Sequence, residues 1–196
     1  MKRNCFFLLL LIFSSCQNLP ESEYPLVSIE TKFGDIILEI YDNKAPVTAG
    51  SFLSYVDQGF YKRSHFYRIL NDYNQPSSGF RAELIQGGIY RSNRKISDTL
   101  SSIAHEPTSE TGILHKHGTI SMARGEPGSA KTEFFICIGD QPGFDFGGVN
   151  NADGQGYAAF GRVIKGADVL MKIYRQPFKD DNFYPPVAIL NIKRLK

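Results

Sequence analysis

The sequence contains no tryptophan, little net charge and few cysteines. Its 196 residues carry a formal net charge of +2, which gives no basic field that would attract nucleic acid. We therefore expect no nucleic-acid partner. The length suits one compact domain with a sizeable core. Abundant glycine and short apolar runs favour a β-rich barrel or sandwich over a helical bundle.

The sequence has three cysteines, and only one of them is expected to remain as a free thiol in the mature chain, which excludes a disulfide framework there. Cys5 lies in an N-terminal targeting segment, and Cys16 directly follows it. The third, Cys137, lies in the apolar run 134–138, where we expect a small buried side chain. The sequence gives no reason to place a histidine beside it, so it does not indicate a nucleophile.

The apolar run at the N-terminus, residues 5–13, is too short to span a bilayer as a helix. It follows Lys2 and Arg3, and two serines separate it from Cys16. This pattern resembles a bacterial lipoprotein signal that is cleaved before the cysteine. We predict a signal peptide over 1–15 and a lipid anchor on Cys16. The alternative is an ordinary secretory signal with an incidental cysteine.

Cleavage before Cys16 would leave a polar tether and one folded domain. We predict a flexible tether over 16–26 and the domain over 27–196. The lipid would make the membrane a partner of the protein. It would place the chain in the cell envelope, facing the periplasm or on the outer membrane. We expect a monomer.

Most of the chain shows the two-residue alternation of half-buried strands. We predict strands over 27–32, 36–41, 60–70, 83–88, 119–123, 133–138, 157–163 and 187–195. Helical spacing of apolar residues predicts one helix within 43–59 and another over 167–174. The predicted fold is mainly β: a closed antiparallel barrel capped by two α-helices.

Seven segments resemble the cyclophilin family of peptidyl-prolyl isomerases, in the family's order. They are TKFGDIILEIY (31–41), APVTAGSF (45–52), GFYKRSHFYRIL (59–70), IQGG (85–88), GTISMA (118–123), EFFICI (133–138) and FGRV (160–163). Each is weak alone, but together they cover nearly all of 27–195. The resemblance implies an eight-stranded barrel, no cofactor or metal, and an outer groove that binds X-Pro segments of proline-containing polypeptides.

By motif position, Arg68 resembles the family's catalytic arginine. An amide resists rotation with a barrier of roughly 18–20 kcal/mol because its nitrogen shares electrons with the carbonyl. A guanidinium is a fixed fork of donors and not a base. A donor that bonds the prolyl nitrogen only in the twisted state lowers that barrier selectively. The predicted reaction is therefore X-Pro isomerisation, assisting the folding of exported or envelope proteins.

The resemblance also implies a set of substrate-binding residues. They are Leu84, Gln86, Ala123, Arg124, Gly125, Glu133, Phe135, Phe144 and Tyr157. Phe135 corresponds to the floor of the proline pocket and Leu84 to a wall. Arg124 replaces the family's usual asparagine, and Tyr157 stands where a histidine is common.

Three positions depart from the family pattern. Glu83 falls where a pocket phenylalanine is frequent, and Phe80 is a candidate to fill that space. Glu133 replaces a glutamine that orients the arginine; it would either clamp Arg68 by a charge-assisted pair or neutralise it. Gly143 replaces a tryptophan usual in cyclosporin-sensitive members, which predicts weak inhibition by cyclosporin.

The two glutamates favour an alternative function, a non-catalytic proline-peptide-binding module or chaperone on the same scaffold. A small-molecule-binding barrel is a weaker alternative, because a small barrel is filled by its own side chains. His105, His115 and His117 suggest a metal site, but we interpret them as surface or loop-packing residues. Asx residues in 145–153 lack the spacing of a calcium loop.

Overall fold

The computed structural model describes residues 21–195 and shows a closed antiparallel barrel. The strands are β1 (Leu26–Thr31), β2 (Gly34–Ile40), β3 (Ser64–Leu70), β4 (Leu84–Gly88), β5 (Thr119–Met122), β6 (Phe134–Cys137), β7 (Ala158–Lys165), β8 (Phe178–Lys179) and β9 (Asn182–Arg194). Their order is β1-β2-β7-β5-β6-β4-β3-β9, and pairing of β1 with β9 closes the ring. This confirms the predicted eight-stranded barrel; the short strand β8 is an addition at the edge of β9.

Within residues 21–195, four α-helices accompany the barrel, where two were predicted. They are α1 (Pro46–Asp57), α2 (Arg94–Thr99), α3 (Thr108–Thr111) and α4 (Ala167–Tyr174), with a 3₁₀ turn over Pro142–Phe144. The predicted helices are α1, which packs on β7 and β9, and α4, which packs on β2. The short helices α2 and α3 lie in the stretch 89–116, whose sequence has no long periodic pattern.

The first turn of α1 is capped from a distance. Ala45 at the helix start offers no side-chain hydrogen bond. Instead the Glu106 carboxylate accepts hydrogen bonds from the backbone N–H groups of Val47 (3.1 Å) and Thr48 (2.7 Å). A carboxylate here satisfies orphan donors and complements the positive end of the helix dipole. The stretch 89–116 therefore supplies the N-terminal cap of α1.

The barrel interior is a packed core. Phe52 of α1 meets Phe134 and Phe160 at ring-centroid distances of 5.8 and 5.0 Å, and Phe134 meets Phe66 at 5.9 Å. All four are fully buried. Because side chains fill the interior, any binding surface must lie on the outer face. A second, smaller cluster, which includes Leu84, Phe135 and Phe144, lies there.

The predicted signal peptide (1–15) and the proposed lipid anchor Cys16 lie outside the described residues. Of the predicted tether, residues 21–26 are described, and they pack on the barrel. Ser22 donates a hydrogen bond to Glu39 (2.7 Å), and Tyr24 meets Tyr41 edge-on with ring centroids 4.9 Å apart. Within the range 21–195, no helix combines the length and apolar character needed to cross a membrane.

Candidate active site

One row of side chains crosses the outer face of the barrel from β9 to β5. Arg68 on β3 lies opposite Asn182 on β9 and Gln86 on β4. Gln86 lies opposite Phe135 on β6, which lies opposite Ser121 on β5. Residues directly opposite each other in a sheet share a face, so the barrel register places the arginine and the aromatic ring in one groove.

A β-bulge sets the direction of Arg68. The register of β3 shifts between Phe66 and Arg68 against both neighbouring strands. Tyr67 is an extra residue against β4, whereas on the other side β9 carries the longer segment, residues 183–186. Phe66 and Ile69 both pack into the barrel core, three positions apart, which breaks the simple alternation. The two residues between them, Tyr67 and Arg68, thereby both lie outside the core. Bulges re-aim side chains in this way.

The Arg68 guanidinium is held on two sides. Its Nε donates to Oδ2 of Asp181 at 2.8 Å, and its Nη1 donates to Oε1 of Gln86 at 3.2 Å. A guanidinium has five N–H donors, so these bonds to described residues leave three for other partners. The Arg68 side chain is 38 % exposed. The group is therefore oriented by the protein and remains accessible.

Arg68 borders a small cavity of about 190 Å³, here called the Arg68 cavity. Its lining consists of Arg68, Leu70, Leu84, Gln86, Ala123, Arg124, Phe135, Phe144, Asn150 and Tyr157. The Phe135 ring meets Phe144 and Tyr157 edge-on, each at 5.2 Å. The cavity thus combines aromatic and aliphatic walls with polar side chains, among them the Arg68 cation at its edge.

The structure brings eight of the ten predicted site residues to this cavity; the remaining two, Gly125 and Glu133, line its neighbour. The neighbouring cavity measures about 400 Å³ and shares Gln86, Ala123 and Arg124 with the first. The two cavities therefore adjoin, with Ala123 and Arg124 lining both and Gly125 lining the larger one.

Glu133 does not pair with Arg68, so neither effect considered for it, clamping or neutralising the arginine, arises by direct contact. Its carboxylate instead accepts hydrogen bonds from the Tyr67 hydroxyl, the Tyr90 backbone N–H (2.9 Å) and the Thr132 hydroxyl (3.2 Å). Burial raises the pKa of Glu133, and these hydrogen bonds oppose the rise. Burial and the adjacent Glu133 charge raise the pKa of Tyr67.

Glycine makes room for the Glu133 carboxylate. A Cβ atom on Gly88 would lie 2.2 Å from Oε1 of Glu133, and the φ of Gly88 is +148°. The carboxylate therefore fills space that only glycine leaves open at this position. Gln86 also donates to the Tyr67 hydroxyl at 2.9 Å. Glu133 consequently reaches Arg68 only indirectly, through Tyr67 and Gln86.

Glu83 turns away from the Arg68 cavity. Its carboxylate accepts a hydrogen bond from the Tyr174 hydroxyl at 2.6 Å, and no acidic side chain is among the residues that line the cavity. Phe80 packs edge-on against Phe144 at 5.6 Å. A Cβ atom on Gly143 would lie 2.4 Å from the Phe80 ring. Phe80 therefore occupies the space beside Gly143 and supports Phe144 from outside the cavity.

The Arg124 guanidinium is committed to the protein. Its side chain is 1 % exposed and binds both carboxylate oxygens of Asp153, at 2.7 and 2.9 Å. It also donates to the carbonyls of Gly156 and Gly125, each at 2.7 Å. The pair lowers the pKa of Asp153 to about 2. Arg124 therefore fixes the loop before Tyr157 and contributes no free cation to the groove.

The three histidines considered as metal ligands have separate partners. His105 contacts the carbonyl of Gln155, His117 accepts from the Gly139 N–H, and His115 is buried against Asp145. Among residues 21–195, no group of three or more His, Cys, Asp or Glu side chains converges on a possible metal position.

Sequence reasoning missed several contributors to the site. Asp181 is 113 positions from Arg68, and no local pattern links them. Leu70 is two residues from Arg68, so strand periodicity alone would place it near the same face. Asn150 belongs to a loop rich in turn residues, where a cavity-lining role leaves no distinct signal.

Comparisons with known proteins agree with this architecture. A solved cyclophilin type peptidyl-prolyl cis-trans isomerase from Cryptosporidium parvum, crystallised in the presence of the dipeptide Ala-Pro, superposes with a TM-score of 0.67. It shares 20 % identity, and the alignment covers 87 % of this chain and 99 % of that one. This likeness shows the fold.

Sequence comparison shows the family. The family model for cyclophilin type peptidyl-prolyl cis-trans isomerase/CLD matches residues 26–194. A peptidyl-prolyl cis-trans isomerase of Acinetobacter baylyi is 37 % identical over 86 % of this chain and 84 % of the relative. Peptidyl-prolyl cis-trans isomerase B of Escherichia coli is 36 % identical over 76 % and 83 %. The chain belongs to the cyclophilin-type peptidyl-prolyl cis-trans isomerase family.

Proposed function

We propose that Arg68 is the catalytic residue and that the Arg68 cavity holds the proline ring of an X-Pro segment. The observation that carries this assignment is the position of oriented, unused guanidinium donors beside a small pocket that also contains Phe135. The pocket grips the ring while the peptide bond turns. As the bond twists, the prolyl nitrogen regains its lone pair, and a guanidinium N–H bonds it only then.

The free energy expected from such a hydrogen bond sets the loss of rate expected when the donor is removed. Hydrogen bonds to charged groups contribute about 1.5–3 kcal/mol. Removing the donor should therefore slow isomerisation roughly 10- to 150-fold. Arg68→Lys should also be slow, because a single ammonium cannot hold Asp181 and Gln86 and still present a donor fork.

The measurement is cis–trans exchange of an Ala-Pro peptide by NMR or by a protease-coupled assay. Arg194→Ala is a matched control, because Arg194 is 40 % exposed and pairs with Asp57 away from the groove. Loss of acceleration in Arg68→Ala alone supports the assignment. Equal activity of Arg68→Ala and the unmodified chain rejects it. Peptide binding without acceleration by the unmodified chain would favour the non-catalytic binding module.

The two glutamates that favoured the non-catalytic alternative both have tyrosine partners. Glu83 bonds Tyr174 and Glu133 bonds Tyr67, so neither acid blocks the pocket or pairs with Arg68. We therefore regard catalysis on proline-containing polypeptides as the better proposal.

We further propose that the protein is lipid-anchored through Cys16 in the cell envelope and assists folding of exported proteins there. The support is the N-terminal sequence pattern alone. Metabolic labelling with a tagged fatty acid tests it: the full chain should take up label, and Cys16→Ser should not. A cleaved but unlabelled protein would support an ordinary secretory signal and refute the anchor.

A further inference from the structure

His115 contacts every aromatic ring that lines the Arg68 cavity, although it does not line the cavity itself. It stacks on Phe135 with centroids 6.0 Å apart and an interplanar angle of 14°. It meets Phe144 and Tyr157 edge-on at 5.7 and 6.4 Å. The His115 side chain is fully buried. The imidazole is thus the common neighbour of the three pocket rings.

Hydrogen bonds fix the imidazole at both nitrogens. Nδ1 lies 2.7 Å from Oδ1 of Asp145, and Nε2 lies 3.0 Å from Oγ of Ser121. The same Asp145 oxygen accepts from the His115 backbone N–H at 2.9 Å. A carboxylate accepts, so Nδ1 carries the proton, and in the neutral ring Nε2 then accepts from the Ser121 hydroxyl. Burial lowers the pKa of His115, which favours this neutral form.

This hydrogen-bonded chain joins two sides of the pocket. Ser121 lies on β5, two residues before Ala123 at the cavity edge. Asp145 directly follows Phe144, which forms a wall. The path Ser121–His115–Asp145 therefore connects the strand that leads to the groove with the loop that carries Phe144. Buried, satisfied polar chains of this kind restrict the surrounding groups to one arrangement.

The order Asp–His–Ser also occurs in hydrolytic enzymes, but the burial here excludes that use. Ser121 has no exposed surface, so no substrate carbonyl reaches its hydroxyl. Nucleophilic catalysis requires the hydroxyl within reach of the bond that breaks. The hydrogen-bonded groups contact the pocket through the rings that His115 packs against, and they do not contact a substrate.

We propose that His115, pinned between Asp145 and Ser121, is a positioning residue that fixes the spacing of the three rings gripping the proline. The role rests on the proposed use of the Arg68 cavity as the proline pocket. The rings hold the proline equally before and during rotation of the bond. If the rings lose their spacing, the ground state and the transition state lose the same binding energy. KM then rises and kcat is unchanged.

The test compares Ser121→Ala and Asp145→Ala with the unmodified chain, using NMR exchange on an Ala-Pro peptide over a range of concentrations. Each variant should raise KM roughly tenfold, within the 10²-fold that a 1 Å misplacement can cost. Asp145→Asn keeps an oxygen in place of Oδ1 and should restore KM. Ser28→Ala, a serine 1 % exposed on β1 outside the cavity, should leave KM unchanged.

A purely structural role gives a different result. In that case kcat falls with the folded fraction, measured by circular dichroism, while KM stays constant, and the proposal is overturned. It is also overturned if Asp145→Asn is as impaired as Asp145→Ala. If the unmodified chain does not accelerate exchange, the catalytic proposal fails separately. The positioning role is then decided by peptide Kd, which must weaken roughly tenfold in the two alanine variants.

Discussion

The ion pair between Arg68 and Asp181 offers a sensitive test of how the catalytic group is oriented. The two side chains are 38 % and 41 % exposed, and Nε lies 2.8 Å from Oδ2. Pairs with this exposure contribute about 0.2–1 kcal/mol because solvent screens them. If that energy maintains the productive orientation of Arg68, its loss should lower kcat/KM roughly 1.4- to 5-fold.

Two substitutions separate orientation from charge. Asp181→Ala removes both the acceptor and the charge and should show the full loss. Asp181→Asn keeps an oxygen that accepts from Nε of Arg68, so it should retain most of the activity. The backbone carbonyl of Asp181 accepts from the Ile69 N–H at 2.9 Å, and this bond survives in both variants. The strand register is therefore expected to persist.

The assay is kcat/KM on an Ala-Pro peptide at low and high salt. Salt screens an exposed ion pair. The kcat/KM of the unmodified chain should therefore approach that of Asp181→Ala as ionic strength rises, while the kcat/KM of the variant should change little. An increase in kcat/KM on Asp181→Ala would refute the reasoning. It would mean that the carboxylate blunts the arginine and does not orient it.

Three further predictions concern His115, the α1 cap and the space beside Gly143. The pKa of His115 in the folded protein lies below its usual 6.5, because burial outweighs the opposing effect of Asp145. The unfolded chain therefore binds this proton more readily than the folded chain. The contribution of His115 to the free energy of unfolding, measured by urea denaturation, should fall as pH drops below about 6.5 and stay constant above it. A difference in this free energy between the unmodified chain and His115→Phe that does not change with pH would contradict the prediction. Glu106→Ala should destabilise the fold by about 1 kcal/mol through loss of the α1 cap, with a smaller loss for Glu106→Gln, and an unchanged urea midpoint would contradict it. Cyclosporin should inhibit weakly, since Gly143 offers no indole and Phe80 fills the adjacent space; an inhibition constant as tight as that of sensitive members would show this to be wrong.

The outer groove was predictable in part because its main residues lie on neighbouring strands with strong local patterns. Arg68, Gln86 and Phe135 each lie in a short strand whose sequence resembles a family motif, and the structure pairs these strands side by side. The order of the motifs implied an eight-stranded closed barrel with a groove on its outer face. What alternation cannot reveal is a bulge, because one extra residue at Tyr67 reverses the faces of everything that follows.

The acidic residues show the limit of position-by-position reasoning. Glu133 was expected to act on Arg68, and Glu83 to stand at the position of a pocket phenylalanine. The structure gives each a tyrosine hydroxyl instead, and it gives Arg68 a different acid, Asp181. A long side chain can form a hydrogen bond with any suitable group within its reach. Which groups lie within reach depends on segments that are far apart in sequence.

The sequence by itself determined the strands, the two longer helices and the barrel that they form, because hydrophobic periodicity and turn residues act locally. It also predicted a targeting segment at residues 1–15, which remains a prediction. Only the tertiary structure decided the partners of Arg68 and the place of His115. The reason is physical: hydrogen bonds and ring contacts form between groups that closure of the barrel brings together, and closure joins β1 to β9 across almost the whole chain.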